Sequence, residues 1–164
     1  MLHNRPQKII IKAERYVVSA QRSGRTVALA YADCGTYGAL DSLCAKYGVR
    51  RLPGLHCYDV FAGASRMAAM FEAEPGTYVL TDFLLRSFDR SVLAELGLDR
   101  FPQLWPDYFG HYRRLVWLAQ EPTAALAAEA QRVAGMFGLP LTRIEVGVSQ
   151  LEAAIAALVS EAAA

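Results

Sequence analysis

The sequence predicts an α/β fold, a single three-layer domain whose mainly parallel sheet of about four to five strands carries helices on both faces. Three observations predict it. Short apolar runs alternate with segments of helical period roughly five times, the pattern of strands connected through helices. The runs are nearly continuous in apolar residues, as in strands buried on both faces. The chain is 164 residues long, 54% hydrophobic and 20% charged, which suits one folded domain over 1–164 with a core that needs no disulfide staples.

Asn4, Arg5 and Pro6 mark a helix start, with Asn4 as a cap and Pro6 in the first turn, where its missing N–H costs nothing. Ile9, Ile10, Tyr16, Val17 and Ala20 follow at helical spacing, and Gly24 ends that helix. Thr26 to Tyr31 is a strand. After the break at Asp33-Cys34-Gly35-Thr36-Tyr37-Gly38, a helix runs from Ala39 to Tyr47 and stops at Gly48. Val49 to Leu52 is a short strand, and Pro53-Gly54 is a turn with His56 and Cys57 directly behind it. Helical pattern covers Tyr58 to Phe61 and Ser65 to Glu72. Thr77 to Leu80 is a strand, and Thr81 or Asp82 caps the helix carrying Phe83, Leu84, Phe88, Val92 and Leu93. Leu115 to Ala119 is another buried strand. Thr123 caps an alanine-rich helix that ends at Phe137 before Gly138, Thr142 to Val146 is the last strand, and Ser149 caps the terminal helix.

The formal net charge is +1, which argues against nucleic acid or an anionic membrane as partner. No stretch approaches the roughly 20 apolar residues of a membrane span, and Met1 to Lys8 lacks a secretory pattern, so a cytoplasmic location is expected. Three cysteines, Cys34, Cys44 and Cys57, do not suggest a disulfide framework in that setting.

In open α/β sheets ligands bind at the carboxyl ends of strands. Three segments take that position: Asp33 to Gly38, Leu55 to Tyr58, and Thr81-Asp82. Beside a helix N-terminus the Cys34 thiol is favoured as thiolate, which makes it a candidate nucleophile or ligand. Gly35 and Gly38 let backbone approach a ligand, with Asp33, Thr36 and Tyr37 beside them. The alternative is a tight turn in which Cys34 is filler. The loop has neither Walker nor GxGxxG spacing. His56 and Cys57 offer imidazole and thiolate for zinc or iron, or else are a surface histidine and a buried cysteine that start a helix. Tyr58 and Thr81 join them as candidate ligand-binding residues. Asp82 reads first as a cap, then as a general base or as the partner orienting His56. Cys44 sits at an apolar helix position and reads as core. The aromatic run Trp105 to Tyr112 packs a long loop onto the core or, less expectedly, walls a pocket. His3 lies too near the N-terminus to interpret.

Four segments carry a family resemblance. Tyr31 to Asp41 (YADCGTYGALD), Arg51 to Gly63 (RLPGLHCYDVFAG), Glu74 to Asp82 (EPGTYVLTD) and Leu2 to Ile9 (LHNRPQKI) resemble the bacterial and archaeal domain-of-unknown-function family 1638 (DUF1638) along essentially the whole chain. The resemblance implies a setting beside corrinoid-dependent methyltransferases of one-carbon metabolism. It makes a corrinoid protein or its methyltransferase the expected partner. Longer members begin with a further strand ending in a Cys-Gly pair. This chain is expected either to lack that strand or to begin downstream of the natural start. Three strand-end cysteines suit an iron–sulfur cluster with an open iron; here Cys34 and Cys57 would supply two thiolates and His56 the third ligand. Iron–sulfur or zinc is thus the expected cofactor, and a homodimer would cover the sheet edge exposed by a missing strand. Two other functions stay open. One is a metal-free enzyme with Cys34 as nucleophile and His56 as activator, whereas in the metal-binding reading Asp33 and Asp82 would support the ligands or act as bases. The other is a non-catalytic accessory protein docking on the corrinoid machinery.

Overall fold

The computed structural model describes residues 6–163. The expected cap at Asn4 and the resembling segment before Pro6 lie outside the described residues. In chain order the elements begin with α1 (Pro6–Arg22), β1 (Ala28–Leu29), α2 (Ala39–Tyr47), β2 (Arg50–Arg51) and α3 (Cys57–Ala62). Then come α4 (Ala64–Ala73), β3 (Thr77–Thr81) and α5 (Asp82–Phe88), which runs through a π-helical turn (Asp89–Leu93) into α6 (Ala94–Leu96). A 3-10 turn (Pro102–Leu104) leads to α7 (Trp105–Phe109), followed by β4 (Arg114–Ala119), α8 (Ala124–Phe137), β5 (Leu141–Glu145) and α9 (Ser149–Ala163).

The α/β class and the parallel pairing are as the sequence predicts. The five strands, expected in one sheet, form two: β1 pairs β2, and β3–β4–β5 form a second sheet, all parallel. The chain divides into two compact units. One takes the residues up to Ala64 together with those from Ser149; the other is the segment Ser65–Val148 inserted between them.

In the first unit the expected strand at Thr26 to Tyr31 contracts to two paired residues, Ala28 opposite Arg50 and Leu29 opposite Arg51. The Tyr31 N–H turns back to the Leu29 carbonyl at 2.7 Å, which takes it out of the ladder. Two apolar clusters hold this unit. Val17, Leu43, Cys44 and Val49 pack together, so Cys44 is a core residue as expected. Ala32, Leu52, Val60 and Leu158 form the second cluster, joined by Leu151 and Ala154 of α9.

In the second unit Leu115 to Ala119 of the central strand β4 are buried throughout, because they are covered on both faces. Leu80, Leu85, Phe88, Trp117, Leu126 and Val133 belong to the core around them. Of the two readings of the aromatic run, packing holds. Trp105 meets Phe137 at 4.9 Å between ring centroids, and Phe109 and Tyr112 lie edge-on to Tyr78 at 5.7 and 5.0 Å. Thr123 caps α8 by accepting from Leu126 N at 3.2 Å, and Gly138 closes it at φ 63°. Removing that cap by Thr123→Ala is expected to lower the unfolding free energy by about 1 kcal/mol in urea titration.

Candidate functional site

Pairing of β1 with β2 continues beyond the strands. Leu52 N donates to Leu29 O at 3.0 Å, Asp33 N to Gly54 O at 3.2 Å and Cys34 N to Leu55 O at 2.8 Å. These bonds tie the loop after β1 to the loop after β2, so the two cysteine segments run side by side.

Each loop is locked by its own aspartate. The buried Asp33 carboxylate accepts from Thr36 Oγ1 at 2.5 Å and from the backbone N–H groups of Tyr37 and Gly38 at 3.0 Å each. The turn this imposes places Cys34 at φ 46° and Tyr37 at φ 52°, left-handed positions that cost a residue with a Cβ about 1 kcal/mol or more each. Burial raises the Asp33 pKa, but the Thr36, Gly38 and Tyr37 hydrogen bonds and the nearby Arg51 charge outweigh it and hold the carboxyl below its ordinary value. In the second loop, Asp59 Oδ2 accepts from Leu55 N at 2.8 Å and His56 N at 3.1 Å, which opens α3 at Cys57. Gly54, at φ 102°, passes so close that a Cβ there would stand 2.9 Å from the Asp59 Cβ. Arg51 joins the two loops' supports. It grips Asp41 of α2 through Nε and Nη2 at 2.6 and 2.9 Å, and its Nη1 reaches Leu52 O at 2.7 Å and Gly54 O at 3.2 Å.

This scaffold brings the thiols of Cys34 and Cys57 into hydrogen-bond contact. The two thiols share one hydrogen bond. That bond, with the Cys57 backbone N–H and the Arg51 charge, outweighs burial and the Asp33 charge and lowers the Cys34 pKa to about 7. Its hydrogen bond to Cys34, then burial and the Cys34 charge, push the Cys57 thiol far above the ordinary cysteine range. Both cysteines are free and partly buried. Tyr31 faces the same pair: burial, then the charges of Cys34 and Cys57, raise its phenol to about 12.

His56 stands at the exposed position before α3, its ring tilted 41° to that of Tyr58 at 6.0 Å. The groups that lower the Cys34 pKa are Cys57 and Arg51, not this imidazole. Among the described residues no three His, Cys, Asp or Glu side chains are grouped to hold a metal ion. Cys34 and Cys57 converge as two sulfur donors, and His56 does not complete a set of three. In the cysteine loop, Asp33, Thr36 and Gly38 are occupied with one another, and Gly35, Thr36 and Tyr37 line a cavity of about 160 Å³ with Pro6, Gln7 and Ile10. Tyr37 is 94% exposed.

Thr81 and Asp82 belong to the inserted unit. Thr81 caps α5, accepting from Leu84 N at 3.2 Å. The buried Asp82 carboxylate accepts from Trp117 Nε1 at 2.8 Å, Glu121 N at 2.8 Å and Gln120 N at 3.4 Å, while Asp82 N donates to Gln120 Oε1 at 3.0 Å. That occupancy makes it a tie between the start of α5 and the end of β4. Sequence reasoning passed over Tyr31, Arg51 and Asp59. Each had a signal: a tyrosine closing an apolar run, a cation inside a short strand, and an acid three residues after a helix's first boundary.

Fold and site together define an α/β protein in which two cysteine loops meet beyond the carboxyl ends of adjacent parallel strands. The family model described as "Protein of unknown function (DUF1638)" matches residues 1–155 of the 164, and the chain belongs to that family. No curated protein and no solved structure matches it. No described helix is long and apolar enough to cross a membrane.

Proposed function

We propose that the chain is an enzyme whose nucleophile is Cys34, with Cys57 as the hydrogen-bond donor that holds it as a thiolate. One observation carries this: the backbone bonds from Asp33 N to Gly54 O and from Cys34 N to Leu55 O hold the two cysteine loops side by side, with Cys57 against the Cys34 sulfur. Arg51 adds positive charge, and the Asp33 turn fixes the backbone from which the sulfur projects. In this reading the activator is Cys57 in place of His56. The chemistry in reach is attack of a thiolate on an electrophilic carbon or sulfur. A cytoplasmic setting, where free cysteines stay reduced, suits this role.

The test is the pH dependence of iodoacetamide alkylation at Cys34, followed by peptide mass spectrometry. The thiolate is the reacting form, so a lowered pKa moves the rise in rate to lower pH. The rate is expected to rise with an inflection near pH 7. In Cys57→Ala the inflection moves up toward the ordinary cysteine range, and in His56→Ala it stays in place. A Cys34 that reacts at pH 7 no faster than a free cysteine removes the proposal.

The convergence of two thiols also supports a second reading, a metal- or iron–sulfur-binding protein linked to corrinoid-dependent one-carbon metabolism. The residues do not fit a resident metal as they stand, because the third donor is missing among the described residues. Metal and sulfide analysis on anaerobically purified protein separates the two readings. Stoichiometric zinc, or iron with sulfide, favours the metal; a colourless protein without metal favours the nucleophile. A corrinoid protein or methyltransferase as docking partner belongs with this second reading, and co-purification tests it.

A further inference from the structure

We infer that Cys34 and Cys57 are a dithiol pair that undergoes disulfide exchange, Cys34 attacking a disulfide substrate and Cys57 resolving the mixed disulfide. The inference rests on the nucleophile reading and adds to it a substrate class and a second reacting residue.

Three features of the site carry it. First, the sulfurs are already in hydrogen-bond contact, although they lie 23 positions apart in sequence. Second, the approach is enforced by backbone: Asp33 N to Gly54 O and Cys34 N to Leu55 O fix one loop against the other, and the Asp33 and Asp59 carboxylates fix each loop internally. A disulfide needs its α-carbons within a narrow range, which two tied loops at neighbouring strand ends can hold and free loops cannot. Third, the pair is reachable: both cysteines are only partly buried, and Tyr37 and Leu55 beside them are 94% and 68% exposed. Cys44 differs on every count, since it lies in the core with Val17, Leu43 and Val49.

The electrons balance as follows. The Cys34 thiolate attacks one sulfur of a low-molecular-weight disulfide, RSSR; the S–S bond breaks and RS⁻ leaves, giving Cys34–S–SR. Cys57 loses its proton to solvent or to the departing thiolate, attacks the Cys34 sulfur and expels the second RS⁻. The products are a Cys34–Cys57 disulfide and two RSH, so the protein is oxidised by two electrons and the substrate reduced by two. The order follows from the coupling. While Cys34 carries charge, it opposes ionisation of Cys57; once that charge is consumed in the mixed disulfide, the opposition is gone and Cys57 is released to react.

Glutathione disulfide is the probe. The reduced full chain is incubated with it and quenched in acid, and free thiols are blocked with N-ethylmaleimide for intact-mass and peptide analysis. Wild type is expected to end as the Cys34–Cys57 disulfide with no glutathione attached and with Cys44 still blocked by the reagent. Cys57→Ala is expected to stop with one glutathione on Cys34, a species that persists at least roughly tenfold longer than in wild type. If wild type also keeps glutathione on Cys34 while Cys57 stays free, the resolving role is overturned and the nucleophile stands. If Cys34 stays a free thiol in wild type, with neither glutathione nor a bond to Cys57, both this inference and the nucleophile reading fall. Since the decisive arm is the wild type, a poorly folding variant does not obscure the result.

Discussion

Asp82→Ala is expected to lower the unfolding free energy of the inserted unit by about 3 kcal/mol while leaving Cys34 alkylation at its wild-type rate. The carboxylate accepts three hydrogen bonds, and one partner, Trp117 Nε1, belongs to a side chain only 1% exposed. Alanine would leave that indole N–H buried without an acceptor, and the two backbone donors at the end of β4 would lose theirs. An unsatisfied buried donor costs roughly 1–3 kcal/mol, and hydrogen bonds to a charged acceptor lie at the upper end. Both tryptophans of the chain, Trp105 and Trp117, lie in this unit, so tryptophan fluorescence during urea titration reads its unfolding directly. A loss below about 1 kcal/mol would show that the donors find other partners. A collapse of Cys34 reactivity without loss of stability would return Asp82 to the catalytic role the sequence allowed.

The second large effect belongs to Asp33. Asp33→Ala is expected to destabilise the first unit locally by about 2 kcal/mol, because Thr36 Oγ1 and two backbone N–H groups lose one common acceptor. Cys44 is a built-in reporter: it is 8% exposed and must be uncovered before a maleimide can reach it. About 2 kcal/mol corresponds to roughly 30-fold faster labelling of Cys44 in native buffer. The Cys34 alkylation profile should shift too, since the turn that presents its sulfur is gone. The pH dependence has a definite sign. The folded pKa of Asp33 lies below its unfolded value, so its contribution is fully present above the unfolded pKa and is lost as pH falls through the folded one. The stability gap between wild type and Asp33→Asn, followed by circular dichroism, should therefore stay constant above about pH 5 and narrow as the solution is acidified below pH 4. A gap that widens with acid would contradict the hydrogen-bonded, ionised carboxylate.

What could be read from the sequence was local. Thr123 and Gly138 bound α8 as expected because a cap and a left-handed glycine act within a few residues. Strand β4 was legible because an apolar run with no polar interruption has few other uses. Strand β1 was overestimated: Thr26 to Tyr31 looks like a full strand, but the regular ladder breaks where Tyr31 N turns to Leu29 O before the loops pair again at Asp33 and Cys34, a choice that apolar pattern does not encode. The two cysteine loops were recognised one by one. Their meeting was not, because it depends on β1 lying next to β2, and strand order is a long-range property. His56 and Cys57 lie 22 and 23 positions from Cys34, so distance along the chain could not say which of the two side chains meets its sulfur. The tie that Asp82 makes was not legible, because the residue that engages it, Trp117, is 35 positions away.

The insertion of Ser65–Val148 within the other unit has a consequence for how the protein is made. Translation delivers β1, β2 and both cysteine loops first, yet Leu151, Ala154 and Leu158, which cover Ala32, Leu52 and Val60, emerge last. By then every residue of the inserted unit has been synthesised and can have closed its own sheet. The nascent chain must therefore carry an uncovered apolar face, with two thiols beside it, through most of its elongation. Chaperone dependence during expression, and thiol cross-linking in stalled chains that end before Ser149, are the biosynthetic traces that such a discontinuous unit should leave.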